Sequence, residues 1–427
     1  MEFIIIGGGI SGLVAARELL KNRHSVKIFE SSTVLGGLAS SFKIKNKFIP
    51  KTYHHLLYNE FVMLDLISEL NLQKNIVWND SHLCFWYDNK AYKLTKPQDI
   101  LKFKPLSIIA RLKMIRLGAI SLFKKDWSDL KTTDAYSWAR KVVGKEVTEN
   151  LFKPLAKIKF GELSSVSAAW FGERLHEAAI NREKYAYLKG GLQQFIDLIG
   201  EDVKLRGGEI YLNSPVTSIK QSEVEVVMNG RKKSFKADKI ISSLPPPVLA
   251  DIASLPKEKK QILKQIKYKS LVCMVIGSKS VITPYYWNVF IKPKMKFGGL
   301  FHHTALYPQG GINGEKLYYL FTYLDNTDLF FKESDSKILE VYLKDIKKIY
   351  PNFEFSWMKI FKIKYSSPIY TMNYENLPIK LTDSLYLTGI YRKYPSTRTM
   401  NTAAKSGLET ANYILRENNQ ETFINDK

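Results

Sequence analysis

The sequence predicts an α/β protein organised around a parallel sheet. Its first residues join an apolar run at 3–6, a glycine-rich turn, an apolar stretch with helical spacing at 10–20 and a second apolar run at 24–29. A strand, a helix and a strand in this order form a βαβ unit, in which the two strands are parallel. Apolar runs at 237–243 and 384–389 have the composition of further buried strands.

The glycine-rich turn has the spacing of a dinucleotide-binding loop. Gly7 permits the tight turn that leaves the first strand, and Gly9 lets a diphosphate approach the backbone. Gly12 allows the helix to pack closely against the strand. The helix starts with Ile10 and Ser11, whose N–H groups carry a partial positive charge that suits phosphate. A Rossmann-like domain is therefore expected.

An acid and a second glycine pair extend this pattern. Glu30 lies 18 residues after Gly12, where a carboxylate can accept hydrogen bonds from both ribose hydroxyls of NAD or FAD. The pair Gly36-Gly37 resembles the extended FAD fingerprint of glutathione-reductase-type and amine-oxidase-type flavoproteins. Many of those proteins have arginine after the pair, whereas this chain has Leu38, which removes one phosphate contact.

Composition limits the partners and the location. The 427 residues suffice for about two or three domain-sized units, and the net charge of +23 favours an anionic partner such as an acidic lipid surface. No RNA-binding or helix-turn-helix pattern occurs, so no nucleic-acid partner is expected. Cys84 and Cys273 form no metal motif, and no metal site is expected. We expect a cytoplasmic protein, or one bound peripherally to the cytosolic face of a membrane, because the first strand leaves no room for a leader and no run of 18 apolar residues occurs.

The middle of the chain predicts a helical part that associates with membranes. Residues 61–184 are expected to be mainly helical, and within them 101–131 combine large apolar residues with eight Lys or Arg and two acids. This pattern suits an interfacial helix or helix pair whose apolar face enters an anionic membrane surface. A core-packing helix with a solvated basic face is the alternative interpretation.

Four segments together resemble the flavin-dependent amine oxidase superfamily. They are the N-terminal fingerprint, YLKGG at 187–191, ADKIISSLP at 237–245, and the closing LYLTGI and MNTAAKSGLETANYIL at 385–390 and 400–415. Their order and spacing are most similar to the protoporphyrinogen oxidase and phytoene desaturase branch, and are also similar to UDP-galactopyranose mutase. The resemblance covers nearly the whole chain and is specific in the FAD segments.

The resemblance implies a discontinuous FAD-binding domain and an inserted α+β substrate domain. The FAD-binding domain comprises 1–60, 185–265 and 366–420, and the substrate domain comprises 61–184 and 266–365. The last residues, 416–427, are polar, and we expect them to form a disordered tail.

Further cofactor contacts follow from the same resemblance. Val216 corresponds to the position whose backbone meets the adenine, and Gly389 corresponds to the glycine of the final FAD motif. Many relatives follow that glycine with aspartate, whereas this chain has Ile390, which weakens the case for a diphosphate contact there. Met400 and Asn401 start the last helix, whose N-terminal amides point at the flavin pyrimidine ring in the family.

The resemblance also supplies candidates for catalysis. His54 and His55 fall where the family's chain passes the flavin ring. Lys159 lies in PLAKIKFG, a segment that resembles a substrate-side motif of relatives. The pair His302-His303 is a further candidate for facing the cavity. For each histidine the alternative is a structural side chain with satisfied hydrogen bonds.

The function implied is that of an FAD-dependent oxidoreductase that transfers a hydride between flavin N5 and a small apolar, isoprenoid- or lipid-like substrate. FAD is expected to be non-covalent, because no cysteine follows Cys273 and the C-terminal cysteinyl attachment of some amine oxidases is impossible. Three alternatives remain open: a non-redox mutase acting on a nucleotide sugar, a carrier that retains FAD without turnover, and an NAD-binding protein without flavin.

Overall fold

The structure, a computed structural model, describes residues 1–80, 82–94, 96–181 and 184–425. Its strands are β1 (Glu2–Ile6), β2 (Ser25–Phe29), β3 (Ser41–Ile44), β4 (Lys47–Pro50), β5 (Leu56–Leu57), β6 (Ile76–Asp80), β7 (Leu83–Tyr87), β8 (Lys90–Lys93), β9 (Lys184–Leu188), β10 (Glu209–Tyr211), β11 (Val216–Lys220), β12 (Glu223–Met228), β13 (Arg231–Lys236), β14 (Lys239–Ser242), β15 (Tyr268–Ser278), β16 (Trp287–Phe290), β17 (Gly299–His302), β18 (Lys316–Asp325), β19 (Trp357–Pro368) and β20 (Leu385–Leu387). Its helices are α1 (Ile10–Lys21), α2 (Phe61–Glu69), α3 (Pro97–Leu101), α4 (Ile108–Phe123), α5 (Ala135–Val147), α6 (Lys153–Lys159), α7 (Ala168–Asn181), α8 (Leu192–Leu205), α9 (Pro246–Ile252), α10 (Lys257–Gln265), α11 (His303–Leu306), α12 (Asp335–Ile346) and α13 (Met400–Asn425).

Five strands form a parallel sheet in the order β10-β2-β1-β14-β20. The apolar run of β1 lies at its centre because both faces of the strand are covered. Phe3 and Ile5 share a core with α1, α8 and α13, whereas Ile4 and Ile6 share a core with the antiparallel sheet β11-β12-β13. The predicted α/β class and its parallel sheet are confirmed, and the strands of this sheet come from three separate stretches of the chain.

Seven strands form a second, mixed sheet in the order β19-β15-β18-β17-β16-β7-β8. Every residue of β15 is buried, since each face of the strand meets a different part of the chain. Val272 and Met274 share a core with α12, whereas Leu271 and Cys273 belong to an aromatic cluster that includes Phe301. The face that carries Leu271 and Phe301 forms one wall of the candidate site.

Helices α4 to α7 pack together around an apolar core next to this sheet. Helix α4 begins after Ser107, whose hydroxyl accepts a hydrogen bond from the backbone N–H of Ala110 at 3.3 Å. Helix α5 is broken at Gly144, where φ is +82°. Within the described ranges, no helix is both long and apolar enough to cross a bilayer.

The last helix is longer than the sequence predicts. We expected 416–427 to be disordered, but α13 continues to Asn425, and only 426–427 lie outside the described residues. Glu417 accepts hydrogen bonds from the ammonium of Lys380 at 2.7 Å and the hydroxyl of Tyr386 at 2.6 Å. These partners are distant in sequence, so the polar composition of the segment gave no sign of them. The expected disorder is wrong for Arg416 and Glu417 and stays a prediction for the residues that follow.

Candidate active site

One cavity of about 1370 Å³ connects the carboxyl ends of β1 and β2 with the mixed sheet and with helix α4. Its wall near β1 and β2 contains the residues that the N-terminal pattern singled out, Gly7, Gly9, Ile10, Ser11 and Glu30. The carboxyl ends of parallel strands are where ligands bind in sheets of this kind. The cavity therefore starts where the sequence predicts a dinucleotide.

The glycine-rich loop leaves open space for a diphosphate. Gly7 has φ of +100°, a conformation that favours glycine. A Cβ added to Gly9 would meet no protein atom within 4 Å, so the backbone there borders empty space. No side chain caps the N-terminus of α1, and its first N–H groups are free of intrahelical partners. The loop and helix thus fit the diphosphate of a dinucleotide.

Gly12 has a different position from the other two glycines. It does not line the cavity, and a Cβ added to it would lie 2.2 Å from the carbonyl oxygen of Gly7 and 3.3 Å from the side chain of Ile5. The helix therefore sits against the end of β1 at a distance that only glycine permits.

Glu30 is buried at the end of β2, and its carboxylate is fixed by the backbone. One oxygen accepts a hydrogen bond from the N–H of Gly8 at 2.7 Å, and the other accepts one from the N–H of Ser32 at 2.7 Å. The oxygen that meets Ser32 also accepts a hydrogen bond from the hydroxyl of Ser31 at 3.3 Å, so the oxygen that meets Gly8 has the lone pair available for a ribose hydroxyl. The position of Glu30 was predictable from the sequence, but its two backbone partners were not.

The second glycine pair closes over the first loop. Gly36 and Gly37 have φ of +110° and +56°, and the N–H of Gly36 donates to the carbonyl of Gly8 at 2.8 Å. Both glycines and Leu38 line the cavity. The Nε2 atom of His54 lies 2.9 Å from the carbonyl oxygen of Leu38, to which its N–H donates. His54 therefore braces the loop that carries the pair, and burial lowers its pKa.

His55 also lines the cavity, as a neutral ring. Its Nδ1 lies 3.0 Å from the hydroxyl of Tyr286, and its ring meets that of Tyr185 edge-on at 4.5 Å. Burial, followed by the charges of His54 and Lys159, lowers the pKa of His55 to about 3. At neutral pH the imidazole is uncharged and can serve as a hydrogen-bonding group beside a ligand.

Six basic residues line the cavity, and three of them lie close enough together in its middle for their charges to interact: Lys159, Arg174 and Arg398. The ammonium of Lys159 lies 3.7 Å from the centre of the Trp287 ring. Burial, followed by the charges of Arg174 and Arg398, holds the pKa of Lys159 well below its usual value. Lys159 was predicted from the sequence, but neither arginine was, because nothing in their local patterns distinguishes them from solvated residues.

The cavity lining also contains an acid, Glu60, that was not predicted from the sequence. Glu60 is buried just before α2, and its carboxylate accepts a hydrogen bond from the N–H of Leu57 at 3.1 Å and one from the side chain of Thr399. Burial raises the pKa of Glu60 to about 7. The group is therefore partly protonated near neutral pH, next to the residues that start α13.

Of the four further cofactor contacts that the family resemblance implies, two line the cavity and two do not. Gly389 and Met400 line the cavity. Asn401 lies outside the cavity wall, and its Oδ1 accepts a hydrogen bond from the N–H of Met63 at 3.1 Å in α2. Val216 is half-buried at the start of β11 and is also outside the cavity wall.

His302 and His303 do not face the cavity, so that expectation is wrong. Both rings are buried behind β17, where the Nδ1 of His302 lies 2.6 Å from the carbonyl oxygen of Thr283. The ring of His303 meets the ring of Tyr187 edge-on at 4.6 Å. His302 packs against Tyr318 on the face of the mixed sheet that lies away from the cavity, whereas His303 is covered by the rings of Tyr187 and Tyr319. The sequence pair alone cannot reveal these surroundings.

Most of the remaining wall is apolar, although Lys51, Lys96 and Lys362 also line it, and the wall reaches the surface. The mixed sheet contributes aromatic and aliphatic side chains, Leu271, Trp287, Phe301, Tyr323, Phe361 and Ile363. Helices α3 and α4 contribute Pro97, Ile100, Met114, Ile115, Leu122 and Phe123. Phe123 lines the cavity and is also 78% exposed, so it marks the mouth. The cavity can thus hold a dinucleotide at one end and an apolar molecule at the other.

Comparisons with known proteins agree with this geometry. The sequence model of the family described as flavin containing amine oxidoreductase matches residues 10–415. The chain is 25% identical over 289 residues to a 15-cis-phytoene desaturase of Synechococcus elongatus, which is 57% of this chain and 58% of that protein. It is 27% identical over 263 residues to the coproporphyrinogen III oxidase of Staphylococcus aureus, which is 53% of this chain and 56% of that protein. The chain thus spans little more than half the length of these two curated relatives.

The same fold occurs in a solved structure of reduced UDP-galactopyranose mutase. The TM-score is 0.78 at 14% identity, over 97% of this chain and 95% of that chain. The resemblance inferred from the four sequence segments is confirmed by the family match. The chain belongs to the family of flavin-containing amine oxidoreductases, and FAD is its cofactor.

Proposed function

We propose that this protein oxidises or reduces an apolar, isoprenoid- or lipid-like substrate that it takes from an anionic membrane surface. The observation that carries the proposal is the continuity of one cavity from the glycine-rich loop to an apolar mouth at α3 and α4. The cofactor and the substrate then share one cavity.

Different residues of the cavity would bind the cofactor and the substrate. Gly7, Gly9 and the N-terminus of α1 hold the diphosphate, and Glu30 holds the ribose. Bound FAD supplies hydride transfer at N5. The aromatic wall of the mixed sheet excludes water and orients an apolar chain, and neutral His55 lies beside it without adding charge.

Helix α4 provides the surface that would meet lipid. Large apolar side chains on its outer face are exposed: Ile108 by 67%, Ile109 by 69%, Leu112 by 55% and Phe123 by 78%. Such a group of exposed apolar residues is unusual on a water-facing helix. Lys113 and Arg116 are exposed on the same helix, where they can meet anionic head groups. The mouth of the cavity would then open into the lipid.

The named relatives bear on the choice of substrate. The phytoene desaturase and the coproporphyrinogen oxidase are each named for a redox reaction, which supports redox chemistry here. The mutase shares the fold, so a non-redox reaction on a nucleotide sugar is the alternative. The apolar mouth favours the first of these two functions.

Vesicle binding tests the membrane part of this proposal. We expect the FAD-loaded protein to co-sediment with vesicles that contain phosphatidylglycerol, and to be released as salt rises. Each basic residue near an anionic leaflet contributes about 1 kcal/mol, so Lys113→Glu with Arg116→Glu should weaken binding at least about tenfold. Arg111 is left unchanged, because it donates at 2.7 Å to the carbonyls of Leu101 and Leu106 and so holds the turn between α3 and α4.

A matched control separates a specific surface from total charge. Lys233→Glu with Lys236→Glu makes the same change in charge on exposed residues of β13 that do not line the cavity. This control should bind vesicles nearly as the wild type does. Wild-type protein that stays off anionic vesicles at low salt contradicts the membrane proposal.

A further inference from the structure

We propose that Lys159, Arg174 and Arg398 form a subsite for an anionic group, so that the substrate is an amphipath with a carboxylate or phosphate head and not a pure hydrocarbon. This inference rests on the proposed function and deepens it, since it assigns chemistry to the middle of the same cavity. All three side chains line that cavity.

Lys159 places an ammonium on an aromatic surface without an acid beside it. It is the last residue of α6, and its Nζ lies 3.7 Å from the ring centre of Trp287 and 5.9 Å from that of Phe321. In the part of the chain that the structure describes, no carboxylate lies within ion-pair distance of Lys159. The aromatic faces offset only part of the cost of removing the charge from water.

Arg398 is also without an acid. One of its nitrogens donates to the carbonyl of Pro368 at 2.6 Å, and its guanidinium carbon lies 4.6 Å from the ring centre of Trp170. A guanidinium has five N–H donors, so most of them remain available to a ligand. Among the described residues, no ion pair involves Arg398.

Arg174 contributes the third cation and brings the carboxylate that pairs with this group. Its Nη1 lies 2.7 Å from an oxygen of Glu177, which also accepts a hydrogen bond from Thr397. The other acids on the cavity wall are Glu30, which the glycine-rich loop engages, and Glu60, whose pKa burial raises to about 7. In this part of the wall, three cations therefore share one acidic partner, Glu177, which contacts Arg174.

Clustered cations in a poorly solvated cavity destabilise one another. Burial and the charges of Arg174 and Arg398 hold the pKa of Lys159 down, and burial also lowers the pKa of Arg398. A bound anion would remove this repulsion and would satisfy the free donors. Such an arrangement is expected where a ligand supplies the missing charge.

The surroundings of the cluster define the rest of the ligand. Lys159 rests on the aromatic wall of the mixed sheet, and the same cavity continues along apolar residues to the mouth at α4. A ligand that follows this path has an anionic head at the cations and an apolar chain directed at the mouth. Carboxylates and phosphates both suit arginine and lysine, so a fatty acid and an isoprenoid diphosphate are the two sources of this chemistry.

The test measures binding to the FAD-loaded protein through the change in flavin absorption. Dodecanoate is compared with dodecanol, and farnesyl diphosphate with farnesol, below their micelle concentrations. We expect at least one anion to bind tenfold or more tightly than its alcohol. We expect Lys159→Met to remove that preference without weakening FAD binding, and Lys159→Arg to keep it. Lys344→Met, an exposed change on α12, is the control and should behave as the wild type.

Distinct results overturn the two proposals separately. Alcohols that bind as tightly as the anions overturn the anionic subsite and leave the proposed function standing. A loss of FAD from Lys159→Met assigns the cluster to the cofactor and also overturns the subsite. Arg398→Gln is a second, independent variant. If the preference for an anion over its alcohol is unchanged in both Lys159→Met and Arg398→Gln, the anionic subsite is also overturned. If UDP-galactose perturbs the flavin while none of the four amphipaths does, the apolar-substrate function fails as well.

Discussion

Replacing Gly9 with valine is expected to abolish FAD binding while leaving the apoprotein folded. Gly9 has φ of −74° and ψ of 171°, a conformation that any residue adopts. A Cβ there would meet no protein atom within 4 Å, so the new side chain would occupy the space proposed for the diphosphate. The protein loses no contact, and only the ligand is excluded.

Titration with FAD measures this effect. We expect the Kd for FAD to rise at least about a hundredfold, which corresponds to about 2.7 kcal/mol. The thermal unfolding midpoint of the apoprotein should match that of the wild type. A Gly9→Val protein that is purified with a full complement of FAD would show that the diphosphate lies elsewhere.

Replacing Gly12 with valine is expected to destabilise the apoprotein itself, in contrast to the change at Gly9, which should affect FAD binding alone. The Cβ would lie 2.2 Å from the carbonyl oxygen of Gly7, so α1 would have to move away from the end of β1. Overpacking of this kind typically costs about 1–3 kcal/mol and more where backbone must shift. A domain has only about 5–15 kcal/mol of stability, so the apoprotein itself should be strongly destabilised.

Urea unfolding of the apoprotein checks this prediction. We expect Gly12→Val to lower the free energy of unfolding by at least about 3 kcal/mol. Gly118→Val is the matched control, because a Cβ added to Gly118 in α4 would meet nothing within 4 Å. Equal stabilities for Gly12→Val and the wild type would refute the close packing of α1 on β1.

Local patterns were sufficient to predict the elements around the cofactor end. The glycine spacing and apolar runs predicted β1, α1 and β2, because a tight turn and a change of hydrophobic period are encoded within a few residues. The turn at Asn229-Gly230 was predictable for the same reason, and both residues have positive φ, 50° and 74°. Glu30 follows from its distance to Gly12 along the chain.

The residues in the middle of the cavity could not be predicted from local patterns, because they are far apart in sequence. Arg174 on α7 and Arg398 before α13 meet Lys159 only after the helices pack on the mixed sheet. The two histidine pairs have the same sequence pattern, yet only His54-His55 lines the cavity. Tertiary packing determines which of the two pairs lines the cavity, and the residues that neighbour each pair in sequence do not reveal it.

Anaerobic reduction of the bound flavin tests most directly whether the protein oxidises or reduces an apolar, lipid-like substrate. The oxidised FAD-loaded protein is mixed with isoprenoids and acyl lipids presented in anionic vesicles, and the absorption of the oxidised flavin is followed. We expect a substrate of this apolar class to bleach the flavin, because the cofactor and the substrate share one cavity. Contradiction would come from a flavin that no lipid bleaches, in a protein that converts UDP-galactose only after its flavin has been reduced beforehand.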